Sequence, residues 1–148
     1  MRAAWGLAVT AAGAVATAVL ARRRFFVVTV EGPSMEPTYH PDDRLLVRRC
    51  SGESVPRGAV VAFRPPPQDA SLGTLPPLLV KRAVATAGDA VPGSIDPAVL
   101  QAPGPVVPPG RLLVLGDSPR SLDSKTWGYL PVSAVVGVVV RRIKPNDH

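Results

Sequence analysis

The sequence predicts a mainly β protein, a small irregular fold of coiled antiparallel sheets preceded by one N-terminal helix. Three observations carry this. Eighteen prolines and thirteen glycines in 148 residues interrupt the chain too often for long helices beyond its start. The apolar runs are short and closed by glycine or proline about every ten residues, the rhythm of strands and turns. No helical segments alternate with these runs, so the crossovers of a parallel α/β sheet have nothing to build them.

The first element is the helix. From Ala3 to Ala21 nineteen residues carry no charge, bounded by Arg2 and by Arg22, Arg23 and Arg24. As a helix they would extend about 28 Å, close to the roughly 30 Å hydrocarbon thickness of a bilayer. Residues 1–24 therefore read as a single-pass membrane anchor with a basic flank, and residues 25–148 as one compact domain. Alanine dominates the segment, so its drive for insertion is moderate. A removable signal peptide shares these features, but the arginine triplet followed by Phe25 and Phe26 makes a poor cleavage site. Weighing those three arginines against Arg2 places the C-terminal domain in the cytoplasm by the positive-inside rule.

Strands and turns follow. Phe25 to Val30 reads as a strand, Gly32 to Thr38 and Pro41 to Asp43 as turns, and Arg44 to Arg49 as a strand with charged ends. Ser51 to Gly58 is a loop, and the strand Ala59 to Phe63 stops at Pro65-Pro66-Pro67, which cannot donate ladder hydrogen bonds. Gln68 to Pro77 reads as a polar surface turn. Leu78 to Ala87 is a strand with a lysine inside it. Gly88 to Gly110, with six prolines, reads as an irregular excursion containing one helical turn at Pro97 to Leu100. Leu112 to Leu115 and Val135 to Val140 complete the strands.

Composition excludes several function classes. The formal charge is +6, but Arg2 and Arg22 to Arg24 hold four of seventeen basic groups, leaving thirteen against eleven acids, or +2, from Phe25 onward. With aromatics at 5% and no interleaved basic and aromatic platform, nucleic acid is not an expected partner. Cys50 is the lone cysteine and His40 and His148 the two histidines, too few for a disulfide or a zinc centre. A Ser-His-Asp triad would need His40, six residues from Ser34, or the last residue of the chain. Neither a metal nor an organic cofactor is expected.

Two residues carry candidate chemistry. Ser34, in Gly32-Pro33-Ser34-Met35-Glu36-Pro37-Thr38, sits between a strand and a proline-punctuated turn, where a fixed backbone can expose a hydroxyl for attack. Lys81 lies in Leu78-Leu79-Val80-Lys81-Arg82-Ala83-Val84, surroundings that can desolvate an amine and bring its pKa from about 10.4 toward neutrality. Strand alternation sends Lys81 toward the pocket and Arg82 toward solvent. Each alone has a plainer explanation: turn chemistry for the serine, a snorkelling side chain for the lysine. A third stretch, Leu115-Gly116-Asp117-Ser118-Pro119-Arg120-Ser121-Leu122-Asp123-Ser124-Lys125, gives the first two a joint meaning.

Together the three stretches resemble the type I signal peptidases over nearly the whole chain, most like the compact Gram-positive and mitochondrial inner-membrane members. The resemblance implies their coiled antiparallel sheets and a Ser-Lys dyad, with Ser34 as nucleophile and Lys81 as general base and later general acid. Ser121 would orient the lysine amine, and the Ser34 N–H would hold the oxyanion, since Gly32 offers no hydroxyl. Met35 would line a pocket for small side chains, while Pro37, Asp117 and an Asp123–Lys125 ion pair would support the site. Lys125 replaces the family's usual arginine, Ser118 its asparagine, and the loop is one residue shorter. The implied activity is removal of signal peptides from secretory precursors, cutting after small residues through an acyl-enzyme, by a single-pass membrane protein whose catalytic domain faces away from the cytoplasm. That orientation opposes the one the arginines give. Two other readings fit the residues: a Ser-Lys protease that matures a dedicated intracellular precursor, and a non-catalytic peptide-binding β-domain.

Overall fold

In the computed structural model the described residues are 2–67, 73–101 and 104–143, with side chains described from residue 10 onward. The chain runs α1 (Arg2–Arg24), β1 (Phe25–Thr29), β2 (Arg44–Arg49), β3 (Val60–Phe63), β4 (Leu79–Thr86), β5 (Arg111–Leu115), α2 (Ser124–Trp127), β6 (Leu130–Pro131) and β7 (Val135–Ile143), with short 3₁₀ turns between. The strands form one sheet of seven in the order β1-β2-β7-β3-β4-β5-β6. Every pairing is antiparallel, as the absence of crossover helices predicts.

β3 shows why the sheet is buried where the site lies. Its four residues are all buried, because Val61 and Phe63 enter one core cluster with Ala83, Leu112, Val114 and Leu130. Val60 and Ala62 enter a second with Met35, Leu45, Val47 and Val80. A strand covered on both faces needs a continuous apolar run, which Val60-Val61-Ala62-Phe63 supplies. β4 lies beside it, with Val61 opposite Lys81, so the lysine enters the sheet's interior and not its edge.

Several expectations shift. The excursion from Gly88 to Gly110 is more than surface. Ile95, Leu100 and Val107 bury themselves against Ala85 and Leu113 as a third cluster, and the expected helical turn is a 3₁₀ turn at Pro97–Val99. β7 continues to Ile143 because Arg141 and Arg142 pair with Leu46 and Leu45, and Arg142 reaches Asp43 at 3.1 Å. Residues 68–72 of the expected surface turn, and His148, lie outside the described residues.

The membrane-spanning helix requires correction. α1 forms, but among the described residues no helix is long and apolar enough to cross a membrane. From Thr10 to Ala21, before the arginines, a helix covers about 18 Å of a roughly 30 Å hydrocarbon core, and alanine, threonine and glycine weaken its hydrophobicity. The side chains of residues 3–9, the rest of the expected span, lie outside those described.

Candidate active site

Ser34 is held by a turn tied down at both ends and at its middle. Val30 donates to the Asp43 carbonyl and receives the Asp42 N–H, both at 2.9 Å, which closes the loop that follows β1. Gly32 takes φ +73°, a conformation that costs a side-chain-bearing residue energy but not glycine. Met35 is fully buried, and its carbonyl accepts the Tyr39 N–H at 2.9 Å. Anchoring Met35 in the core leaves the preceding Ser34 half-buried at the surface of a cleft. Pro37 follows a cis peptide bond to Glu36. Among the described residues no acceptor takes the Ser34 N–H, which leaves that donor available to a substrate oxygen.

Lys81 projects from β4 into the same open cleft, which is lined by Ser34, Lys81, Leu75, Pro76, Leu79 and Leu122, with Glu31 and Arg120 as further charged members. On its face of the strand Lys81 is flanked by Leu79 and Ala83, which pack with the first core cluster, and only 3% of the residue is exposed. Burial pushes the amine down from 10.5 to about 8, against the opposing pull of the Asp123 carboxylate. Ser34 and Lys81 share the cleft without a hydrogen bond between them. A smaller recess beside Ser34 is lined by Val30, Met35, Pro76, Leu78 and Val80.

The third stretch locks onto the first two. The Ser118 N–H donates to the Ser34 carbonyl at 3.1 Å. Gly116 lies so close beneath both that a Cβ there would collide with the Ser121 side chain and the Ser34 carbonyl oxygen. Ser121 is 7% exposed, and its hydroxyl contacts the Leu122 carbonyl at 3.4 Å, not the Lys81 amine. Asp123, fully buried, accepts the Gly116 N–H at 2.9 Å and the Lys125 N–H at 3.1 Å, while Ser124 Oγ accepts the Val114 N–H at 2.9 Å. These two side chains satisfy the N–H groups at the end of β5, which is why an Asp-Ser pair must follow that strand.

The ion pairs differ from expectation. Lys125 Nζ stands 3.9 Å from Asp123, a long contact, and the bidentate fork lies elsewhere. Arg82, expected to reach solvent, donates from Nε and Nη2 to the two oxygens of Asp117 at 2.9 and 2.6 Å. Thr38 Oγ1 donates to the same carboxylate at 2.5 Å, and Arg82 Nη1 donates to the Gly58 carbonyl at 3.0 Å. The guanidinium holds the Asp117 carboxyl below the usual carboxylate range. Through Asp117 the serine turn, the lysine strand and the third stretch are clamped together. The sequence signal for this was the adjacency of Arg82 to Lys81, since neighbours on a strand face opposite sides and one can brace while the other reacts. Nothing in the sequence singled out Thr38. Among the described residues no cluster of His, Cys, Asp and Glu could hold a metal ion.

Known proteins share this pattern. The family model described as "Signal peptidase, peptidase S26" matches residues 2–97 and 94–143. The chain is 34% identical over 125 residues to the mitochondrial ATP-independent inner membrane protease subunit 1b of Arabidopsis thaliana, covering 81% of this chain and 70% of that one. It is 30% identical over 148 residues to the probable signal peptidase I-1 of Synechocystis sp., covering 82% and 74%. It is also 30% identical over 124 residues to the mitochondrial inner membrane protease subunit 1 of Xenopus tropicalis, covering 82% and 70%.

Proposed function

The chain belongs to the signal peptidase family, peptidase S26, and from that premise we propose that it removes N-terminal signal peptides from exported precursors as a Ser-Lys endopeptidase. One observation carries the reading: a lysine buried to 3% exposure on an interior strand opens onto the cleft that also holds Ser34. A cation buried there with no catalytic purpose would be a pure cost.

The chemistry follows from the lowered pKa. With the amine at about 8 instead of 10.5, the neutral fraction at pH 7 is about 9%, roughly 300-fold above that of an ordinary lysine. Neutral Lys81 takes the Ser34 proton as Oγ attacks the scissile carbonyl, and the Ser34 N–H receives the developing oxyanion. The protonated amine then returns that proton to the departing nitrogen, leaving an acyl ester on Ser34. Water, deprotonated by Lys81, attacks the ester, and the amine returns that proton to Ser34 Oγ as it leaves, which restores the free enzyme. Ser121, packed over Gly116 beside Ser34, is the hydroxyl that orients the amine once substrate closes the cleft.

The recess formed with Met35 suits a small side chain before the cut. An extended precursor lies between the chain ahead of Ser34 and the start of β4, adding a strand whose main chain supplies affinity. The enzyme works at a membrane, attached through α1 with its catalytic domain on the extracytoplasmic side. The inner-membrane relatives support the attachment, as do Arg22, Arg23 and Arg24 followed by Phe25 and Phe26, residue types suited to headgroups and interface; the extracytoplasmic side follows from the family reading, against the count of those same arginines. The test is cleavage of a precursor bearing Ala-x-Ala in lipid by wild type, Ser34→Ala and Lys81→Ala. Cleavage after the last alanine by wild type alone is expected. Turnover retained in a folded Lys81→Ala variant refutes the dyad.

A further inference from the structure

We propose that Arg120 determines specificity by selecting precursors with an acidic side chain in the first residues after the scissile bond. The proposal rests on the peptidase reading above.

Arg120 lines the cleft together with Ser34 and Lys81. Its neighbours' charges are spoken for: Arg82 is paired with Asp117, and Lys125 stands near Asp123. Among the described residues Arg120 has neither an ion pair nor a hydrogen bond from its side chain. It is exposed, so the charge rests on the cleft wall at no burial cost. Its backbone is nonetheless fixed beside the nucleophile. The turn that carries it is pinned by the Ser118 N–H on the Ser34 carbonyl and the Ser121 N–H on the Ser118 carbonyl, both at 3.1 Å, and Pro119 restricts the preceding torsion. A flexible side chain on a fixed base beside the reacting serine can reach a substrate group without a conformational change.

Two features give this charge a direction. The amine that protonates the leaving nitrogen must lie on the departing side of the scissile bond. Arg120 shares the open cleft with that amine but takes no part in the recess formed with Met35. Glu31 lines both and is also without a partner among the described residues. Among the described residues Glu31 is the one charged group of the recess, whereas in the open cleft Arg120 and Lys81 outweigh it, so an acidic substrate residue is repelled where the retained, small-residue side binds and attracted where the mature N-terminus leaves. Opposite charges arranged in this way favour one placement of charge along the peptide and disfavour its reverse.

The experiment measures kcat/KM for three precursor peptides that differ only in the first residue after Ala-x-Ala: Glu, Ala or Lys. In wild type at low salt Glu should exceed Lys by about five- to tenfold, the range of a partly exposed charge contact plus the matching repulsion. The ratio should fall to about one in Arg120→Ala, survive in Arg120→Lys and invert in Arg120→Glu. The ratio within each variant is the readout, so a general change in rate does not enter it. A wild-type ratio of about one, or one unchanged in Arg120→Ala, overturns the proposal. Binding of the same labelled peptides to the Ser34→Ala protein, read by fluorescence anisotropy, repeats the comparison without turnover. If wild type cuts none of the peptides, the peptidase reading fails by itself, and equal affinities for the Glu and Lys peptides then overturn the role of Arg120.

Discussion

Replacing Lys81 with methionine should make the protein more stable while abolishing its activity. The lysine's amine is lowered from 10.5 to about 8 by burial, which at about 1.4 kcal/mol per pH unit corresponds to about 3 kcal/mol. The sign follows from proton counting. Between pH 8 and 10.5 the unfolded chain holds the lysine proton and the folded chain does not, so stability rises with pH across that window. The cost of burial is therefore fully present below pH 8 and vanishes above 10.5. Methionine fills a similar linear volume without a charge and meets Leu79 and Ala83 on its face of β4. Urea denaturation at pH 7 should show Lys81→Met more stable by about 2–3 kcal/mol, the full figure being an upper bound because the amine opens onto the cleft. At pH 10 the gap should narrow to less than about 1 kcal/mol. Groups common to both proteins cancel in the difference. A variant no more stable than wild type at pH 7, or a gap that does not shrink with pH, refutes the claim that desolvation tunes this amine.

Three further outcomes follow from the same geometry. The log of kcat/KM should climb about one unit per pH unit up to about pH 8 and then level off, and Asp123→Asn, by removing the carboxylate that raises the lysine's pKa, should move that limb to lower pH; a limb near 10 in wild type contradicts the buried base. Arg82→Lys gives up the fork on Asp117 made at 2.9 and 2.6 Å and should cost about 1–2 kcal/mol in urea titrations together with a fall in kcat; unchanged stability and kcat would show that the clamp is not needed. Gly116→Ala drives a methyl into the Ser121 side chain and the Ser34 carbonyl and should lower activity by at least about tenfold with secondary structure retained by circular dichroism; near-normal turnover would mean that Ser34 tolerates displacement.

The sequence made the strands legible wherever apolar character ran unbroken. Val60 to Phe63 and Leu112 to Leu115 could be bounded within a residue or so because both faces of those strands are buried. It failed where structure depends on distant partners. Arg141 and Arg142 lie beyond Val140, where the apolar run that marks the last strand ends, and only the pairing with Leu46 and Leu45 keeps them in β7. The excursion from Gly88 to Gly110 read as irregular because its buried residues, Ile95, Leu100 and Val107, are spaced by neither helical nor strand periodicity, yet they close a core cluster against Ala85 and Leu113. In the site, Ser34 and Lys81 were singled out by three stretches occurring together and by the resemblance they carry, since a turn serine and a lysine in an apolar strand each have a plainer explanation alone. The bracing of those residues was not, because the fork at Asp117 joins positions 38, 82 and 117, which no local window contains.

That clamp also accounts for a loop carrying lysine where the family's arginine would stand. An arginine at position 125 could grip Asp123 with two donors, whereas Lys125 only approaches it at 3.9 Å. The carboxylate does not depend on that contact, because the Gly116 and Lys125 backbone N–H groups already occupy its oxygens. Loop geometry thus rests on main-chain bonds to Asp123 and on the Arg82–Asp117 fork, and the side chain at 125 is released from that task. The same arrangement bears on the base. A lysine at 125 that stands off from Asp123 leaves more of the carboxylate's field to act on Lys81, offsetting part of the desolvation that lowers its pKa. The amine at about 8 is the balance of these two effects, as the proposed base requires: low enough to take a proton from a serine and high enough to return one to a leaving nitrogen.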